Sequence, residues 1–469
     1  MKAIIFILLL SACFAAAYTV SDNQYMTDGS QSDVQAACND APDDGTVTVI
    51  IPNGTHQWSG TFGITKALTL AGASATGVII ESHLATGTML YVASSAHGHF
   101  NLYWLHFKQV VPNGGAANYI LGTERTEPSN YTVLIHDCSF HSASYLIRCY
   151  SNGVIFWADT FTGGGGVDLT HGRYGPGTAT GSPSNWNAPD TYGLEDSTGL
   201  VNTYMEDCLW QPYCGYLLNI SDNARVVFRH NTVNDCSLGS HGQESAPFGA
   251  RLFEIYNNTF TRSGAYTLQD WFDVRGGVGV IWGNVLPAIP NKRSIQFNVY
   301  SINIPGQIPC QTGYPAARQV GQGWSASSHE PFGHPVVESD GIGAAITGVW
   351  LWDNTGDGAN NIGVNNSEDK CGHGQKATDY VHKDRDYFLR AKPDYTPYPY
   401  PHPLHTAFAI GGPGSTPTPA PTATPTPQPT STPTPTPQPT PPPAEGATYQ
   451  QWLNDFSHWI ETHPAHPDQ

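Results

Sequence analysis

Three stretches of this chain, VVFRHNTV (226–233), FEIYNNTF (253–260) and VGVIWGNVL (278–286), write one short pattern three times. Five further segments fall into the same frame: NLYWLHF (101–107), VLIHDCSF (133–140), VIFWADTF (154–161), NTYMEDCLW (202–210) and GVWLWDNT (348–355). The aligned anchor column reads Leu105, Cys138, Asp159, Cys208, Asn231, Asn258, Asn284 and Asn354. Three positions before it every copy is apolar: Leu102, Ile135, Phe156, Met205, Phe228, Ile255, Ile281 and Leu351. Two positions after it most copies are large and apolar again, with Phe107, Phe140, Phe161, Trp210, Val233, Phe260 and Leu286. Columns this uniform point into one shared core.

The clean anchor spacings are 21 (138 to 159), 23 (208 to 231), 27 (231 to 258) and 26 (258 to 284). A strand-sized motif returning at that interval is the signature of a solenoid, and the period-two alternation inside each copy marks a strand. Stacked coils of this length make an all-β parallel β-helix, in which each rung buries its inner face only against the rungs above and below. The wider gaps of 49 (159 to 208) and 70 (284 to 354) leave room for further copies or for long loops. The anchor Asn is expected to hold a left-handed turn, which Asn tolerates better than other non-glycine residues.

Solenoids grow without splitting, so the repeat region reads as a single domain. With 12% charged residues and 49 glycines, the composition suits strands and turns that expose Ser, Thr and Asn. A net charge of −18 with only 20 Lys and Arg excludes nucleic acid as a partner, because phosphates are held by those side chains.

Ahead of the first strands, residues 31–52 (QSDVQAACNDAPDDGTVTVIIP) begin with a short amphipathic helix whose Val34, Ala37 and Cys38 share one face. Such a helix plugs the open end of a solenoid, whose bare first rung would otherwise pair with other chains. TKALTLAG and ATGVIIES (65–82) then supply early strands. This cap, the HNTV, YNNTF and DVRGGVGVIWGN segments and the tail DYFLRAKPDYTPYPYPHPL (386–404) together resemble right-handed parallel β-helix proteins of the pectate-lyase-like superfamily, mostly exported bacterial proteins of unassigned activity. The resemblance covers about residues 28–405 and implies the right-handed fold. It leaves activity open, since this fold hosts lyases, hydrolases, epimerases and adhesins. Calcium-dependent pectate lyases often carry Asp-His ahead of the anchor; here the pair is reversed, His136-Asp137, so no metal ligand is carried over.

Residues 1–17 read as an export signal: Lys2, an apolar run to Leu10, and small residues ending at Ala17. Leu10-Ser11-Ala12-Cys13 also matches a lipobox, which would make the protein an outer-surface lipoprotein. Both readings place it outside the cytoplasm, secreted or at the cell surface, and the eight cysteines beyond Cys13 are then expected in disulfides. Cys208, Cys214 and Cys236 lie within about one rung, while Cys310 and Cys371 fall in late loops. Residues 411–446 form a Pro/Thr-rich linker, a semi-rigid spacer of roughly 100 Å at ~3.1 Å per residue. Residues 447–469 follow, with a helix expected over 447–464 that opens on a capping box from Thr448 to Gln451. It aligns Tyr449, Trp452, Phe456, Trp459 and Ile460 on one face, as a docking element for a cell-surface or assembly partner would.

The column two places before the anchor contains Tyr103, His136, Trp157, Glu206, Arg229, Tyr256, Trp282 and Trp352. It points outward, and rungs ~4.8 Å apart turn it into an aromatic stripe along the long axis. Such a stripe can hold a polysaccharide, with Trp157, Tyr256, Trp282 and Trp352 as ring contacts and Glu206 and Arg229 as polar partners. It can equally be packing under the loops or the aromatic tail, since the column four before the anchor holds Leu134, Ile155, Val227, Val280 and Trp350, as in a strand buried on both faces.

SHGQE (240–244) and DWFDVRGG (270–277) carry the sharpest candidates for catalysis: His241, Glu244, Asp273 and Arg275. Asp273 and Arg275 lie two apart on an extended segment and share a side, with Phe272 and Val274 on the other. A lyase needs a base for the proton beside a sugar carboxylate and a cation on that carboxylate, roles open to His241 and Arg275. A glycosidase needs two carboxylates, for which Glu244, Asp270 and Asp273 are available. A plain Asp–Arg pair holding a turn accounts for the same residues. Polyuronates are anionic and would be repelled at −18 unless cations bridge them; Ca²⁺ held by Asp357, Glu368 and Asp369 would serve, although no spacing dictates a metal site. Long excursions at 163–192, 287–346 and 356–385 are expected to wall a groove. The resulting expectation is an extracellular polysaccharide lyase or glycoside hydrolase, with a non-catalytic glycan-binding or adhesive surface β-helix as the alternative.

Overall fold

The computed structural model describes residues 18–408 apart from 85, 94–97, 111–117, 125–130, 143–145, 164–165, 175–195, 197–198, 212–215, 222–223, 243–249, 265–266, 299–347, 366–375 and 380. All of these described residues belong to the compact unit Met1–Ala409; the export signal, the linker, the 447–464 segment, Glu244, Glu368, Asp369, Cys214, Cys310 and Cys371 lie outside them.

The chain winds as a right-handed parallel β-helix with three sheets, here A, B and C, of 13, 8 and 10 strands. Each coil visits A, then B, then C. Apart from the antiparallel pair Thr19–Ser21 and Gln24–Met26, strands pair in parallel with the preceding and following coils. The three founding stretches are consecutive sheet A strands, Arg225–Arg229, Leu252–Tyr256 and Val278–Trp282, with Phe228, Ile255 and Ile281 in one register. All three side chains are buried, as are the aromatic residues after the anchor. Phe107, Phe140, Phe161 and Trp210 stack ring on ring at 5.3, 5.2 and 3.8 Å. The wide anchor gaps hide no extra copy in sheet A: Val154–Trp157 pairs directly with Thr203–Glu206, and Val278–Trp282 with Val349–Trp352. The excursions instead leave from the sheet C to sheet A corner, after strands Val167–Tyr174, Ile295–Phe297 and Ile362–Val364, which the sequence reading had placed inside the loops.

The left-handed turn sits one residue earlier than expected. Trp104, Asp137, Ala158, Asp207, His230, Asn257, Gly283 and Asp353, each just before its anchor, have φ between 51° and 64°. The anchor side chain has a different task. Asn258 Oδ1 accepts the backbone N–H of Asn231 at 2.9 Å, and its Nδ2 donates to Phe228 O at 3.0 Å and to Asn284 Oδ1 at 2.9 Å. The same bonds repeat from Asn231 to Asn354, so an internal amide ladder satisfies the backbone groups that the turn removes from the sheet. Asp159 does this for the Cys138 N–H at 2.8 Å, and burial pushes its carboxyl well above the usual range.

The cap helix, Gln31–Asp40, is N-capped by Ser30 and buries Val34, Ala37 and Cys38. Gln31 and Gln35 close the coil's end by pairing with both backbone groups of Gly60 and of Gly63 at 2.8–3.1 Å. Cys38, Cys138 and Cys208 are free thiols inside the coil, contrary to the disulfide expectation for them. Their columns point into the apolar interior, where burial raises each thiol's pKa and a sulfur serves as a small hydrophobe.

Candidate functional site

Two outer faces carry the side chains singled out from the sequence. On sheet A the outward column is as the repeat implies, but the chain's own tail lies along it. Tyr395 stands edge-on to Trp282 and Trp352, Tyr398 and His402 pack on Tyr204, His405 stacks on Trp157 at 4.4 Å, and Phe408 meets His99. Leu134, Ile155, Trp157, Tyr204, Val227, Tyr256, Tyr398 and Leu404 thereby form a second apolar core outside the coil. The rings also turn their faces to one another along the axis: His136–Trp157 at 4.1 Å, Tyr256–Trp282 at 4.8 Å and Trp282–Trp352 at 5.5 Å, all within 11° of parallel. Sugar stacking needs a free ring face. In this column the faces are spent on neighbours, and only Trp282 and Trp352 remain half-exposed among the proposed contacts.

Glu206 and Arg229 sit at the centre of that covered face, both with no solvent exposure. Arg229 Nε donates to Glu206 Oε1 at 2.7 Å and Nη2 reaches the same oxygen. Nη1 donates to Tyr256 Oη at 2.7 Å and to the tail carbonyl of Tyr398 at 2.6 Å, and Nη2 to that of Pro399 at 2.9 Å. Glu206 Oε2 accepts the backbone N–H of His402 at 3.0 Å. Burial opposes the guanidinium's charge, but Glu206 and Tyr256 outweigh it and hold Arg229 protonated. Burial also raises Glu206, with Arg229 pulling the other way. The pair therefore grips polypeptide backbone, in line with the packing alternative for this column and not with sugar contact.

The second face belongs to sheet C. Phe272–Val274 pairs with Ser237–Ser240 on one side and Ile295–Phe297 on the other. Phe272 and Val274 enter the core, which leaves Asp273 on the outer side, as the alternation requires. Asp273 shares its outward column with Arg148, Asn219, Gly239 and Gln296. His241, Asp273 and Arg275 do come together. Arg275 Nη2 lies 2.8 Å from both ring nitrogens of His241, and its Nε is 3.4 Å from Asp273 Oδ2. The two glycines of DVRGG build this approach: a Cβ on Gly276 would meet His241 O at 2.3 Å, and Gly277 has φ of 80°. Asp273 and Arg275 are 2% and 7% exposed and His241 is half-buried, so the cluster is nearly closed. Glu244 lies outside the described residues.

Asp270 joins this group through its field. It is buried, its Oδ1 has no hydrogen-bond partner among the described residues, and its carboxyl is pushed up to about 7, first by burial and then by the charge of Asp273. A neutral carboxyl next to an arginine-paired carboxylate is an arrangement able to give and take a proton near neutral pH.

Asp357 is exposed, and among the described residues no group of three or more His, Cys, Asp or Glu is placed to hold a metal ion. The reversed His136-Asp137 pair also has a structural reason: Asp137 is the left-handed turn residue, while His136 is stacked between Tyr103 and Trp157. Sequence reasoning did not find Asp196, Tyr204 or His402, which close the tail over sheet A; the alternation of Pro with Tyr and His over 395–404 is the signal that marks that segment as an extended strap.

No family model matches the chain, and no curated protein sequence does. Solved structures similar to it include an alginate lyase from Paenibacillus sp. str. FPU-7, with 12% identity over 73% of this chain and 99% of that one and a TM-score of 0.37. The pectin methylesterase from Aspergillus niger follows at 14% identity, 54% and 90% coverage and a TM-score of 0.31. The Dettilon tailspike protein shows 10% identity, 73% and 59% coverage and a TM-score of 0.27. What each of these acts on is a property of that protein; the fold of this chain is read from its own strand pairing.

Proposed function

We propose that this chain is an exported, polysaccharide-active β-helix enzyme, a lyase or a glycoside hydrolase, whose chemistry is carried by Asp270, Asp273, Arg275 and His241 on the outer face of sheet C. The observation that supports it best is the meeting of a guanidinium with an imidazole at 2.8 Å and a carboxylate at 3.4 Å. In a lyase, Arg275 would hold the uronate carboxylate and His241 would take the neighbouring proton. In a hydrolase, Asp270 would protonate the leaving oxygen while Asp273 served as base or nucleophile. Residues 447–464 belong to the same proposal as the element that docks the enzyme to a surface partner.

The near-complete burial of Asp273 and Arg275 favours the second reading, a glycan-binding or adhesive surface protein without catalysis. A panel of neutral and acidic polysaccharides, followed by unsaturated-product absorbance and by new reducing ends, separates the three outcomes. The expected result is turnover on at least one polymer that falls by about 10² or more in Arg275→Ala. Turnover unchanged in that variant would remove the assigned site, and binding without turnover across the panel would leave the adhesive reading.

A further inference from the structure

We propose that the tail, residues 395–408, is an acid-released strap, latched to sheet A through His402. The ring of His402 has no exposure and uses both nitrogens. Nδ1 accepts the backbone N–H of Leu404 at 3.2 Å, which fixes it as the unprotonated nitrogen, and Nε2 lies 2.9 Å from Asp196 O, to which it donates. A second proton would have to sit on Nδ1, pointing at the Leu404 N–H, with two donors and no acceptor between them. The strap's docking therefore requires the neutral imidazole.

The groups around the ring come from every element packed on it. Sheet A presents Glu206, Arg229 and Tyr204, the last with its ring 4.6 Å away. Asp196 turns its carboxylate to the backbone N–H groups of Leu200, Val201 and Asn202. The tail adds Tyr398 and His405, whose Nε2 is 3.1 Å from Glu206 Oε2. Burial, with Arg229 adding to it, lowers His402 from 6.5 to about 4 in the docked state. Burial, His402 and Arg229 lower His405 to about 3. A base neutral when docked and free to protonate when released makes docking weaken as pH falls from about 6.5 through about 4. Glu206 and Asp196 are raised by burial and act in the opposite sense, moderating the loss. Opening would uncover Trp157, Tyr204 and Tyr256 and leave Arg229 without its two tail carbonyls.

Hydrogen exchange of the full chain tests this. Corrected for intrinsic rates, amide protection over 395–408 should fall at least tenfold between pH 6.5 and pH 4.5, while amides of Arg225–Arg229 and Leu252–Tyr256 keep theirs. His402→Asn retains an acceptor for the Leu404 N–H but cannot titrate, and should reduce that pH dependence by the share His402 carries, leaving the remainder to His405. Simultaneous loss of protection in tail and coil, or an unchanged slope in the Asn variant, would overturn the proposal.

Discussion

The two outer faces handle a buried arginine in different ways. On sheet A, Arg229 meets a carboxylate, a phenol and two carbonyls, and the chain's own tail supplies the carbonyls. On sheet C, Arg275 meets an imidazole and a carboxylate at 3.4 Å, beside a second carboxyl that burial keeps near neutrality. A closed, fully bonded ion pair organises structure, whereas a guanidinium crowded by titratable groups can change partners. The contrast has sheet A hold the molecule together, and it is the reason that chemistry is proposed for sheet C.

The largest effect that could break the contrast is on sheet A. Arg229→Ala leaves Glu206 buried without its counter-charge and should cost about 3–5 kcal/mol. Replacing both partners, Arg229→Met with Glu206→Leu, should cost clearly less than the single change, because no orphan charge remains. Urea unfolding of both variants checks this; equal losses would mean that the pair is not the keystone of the covered face.

Arg275→Ala leaves Asp273 buried without its guanidinium, but that pair is looser, at 3.4 Å against 2.7 Å for Arg229 and Glu206. His241 is half-buried and can turn to water, so the loss should be smaller, about 1–3 kcal/mol. Its weight should fall on turnover. A stability loss as large as that of Arg229→Ala, measured in the same urea series, would make the sheet C cluster another structural pair.

These faces were unequally legible in the sequence. Period-two alternation is local, so the inward columns and the outward position of Asp273 follow from the repeat alone, and the buried face of the cap helix follows from its own helical spacing. The meeting of His241 with Arg275 was legible as well, because both sit at matching ends of neighbouring rungs. The aromatic tail was one of two readings of the sheet A column, but the contacts that fix it there were not legible, because Glu206 and His402 are 196 residues apart and no period relates them. The turn was misplaced by one residue for a related reason. An Asn column suits left-handed φ and suits an internal ladder equally well, and only the neighbour's φ separates the two. At the buried thiols, composition suggested disulfides, but Cys138 and Cys208 occupy the inward anchor column with Asp159 on the rung between them.

The smallest effect is a titration that sharpens the contrast by its sign. Asp270 is raised from 3.8 to about 7, by burial first and by Asp273 second. A carboxyl with a raised folded pKa takes up its proton more readily in the folded state, so its contribution is complete below about 4 and lost as pH rises through about 7. The tail latch runs the other way, weakening as pH falls through the range of His402. One group shifts stability by at most about 1.4 kcal/mol per pH unit, which for a coil this large moves Tm by a few degrees. Asp270→Asn, neutral at every pH, should keep the acid-side loss of tail protection and reduce the decline of Tm between pH 5 and pH 8, the rest of which falls to carboxyls such as Glu206 and Asp196. Thermal unfolding at half-unit pH steps reads both limbs on one protein. An alkaline decline unchanged in Asp270→Asn would place the titrating group elsewhere, and with it the proton that the sheet C face is proposed to move.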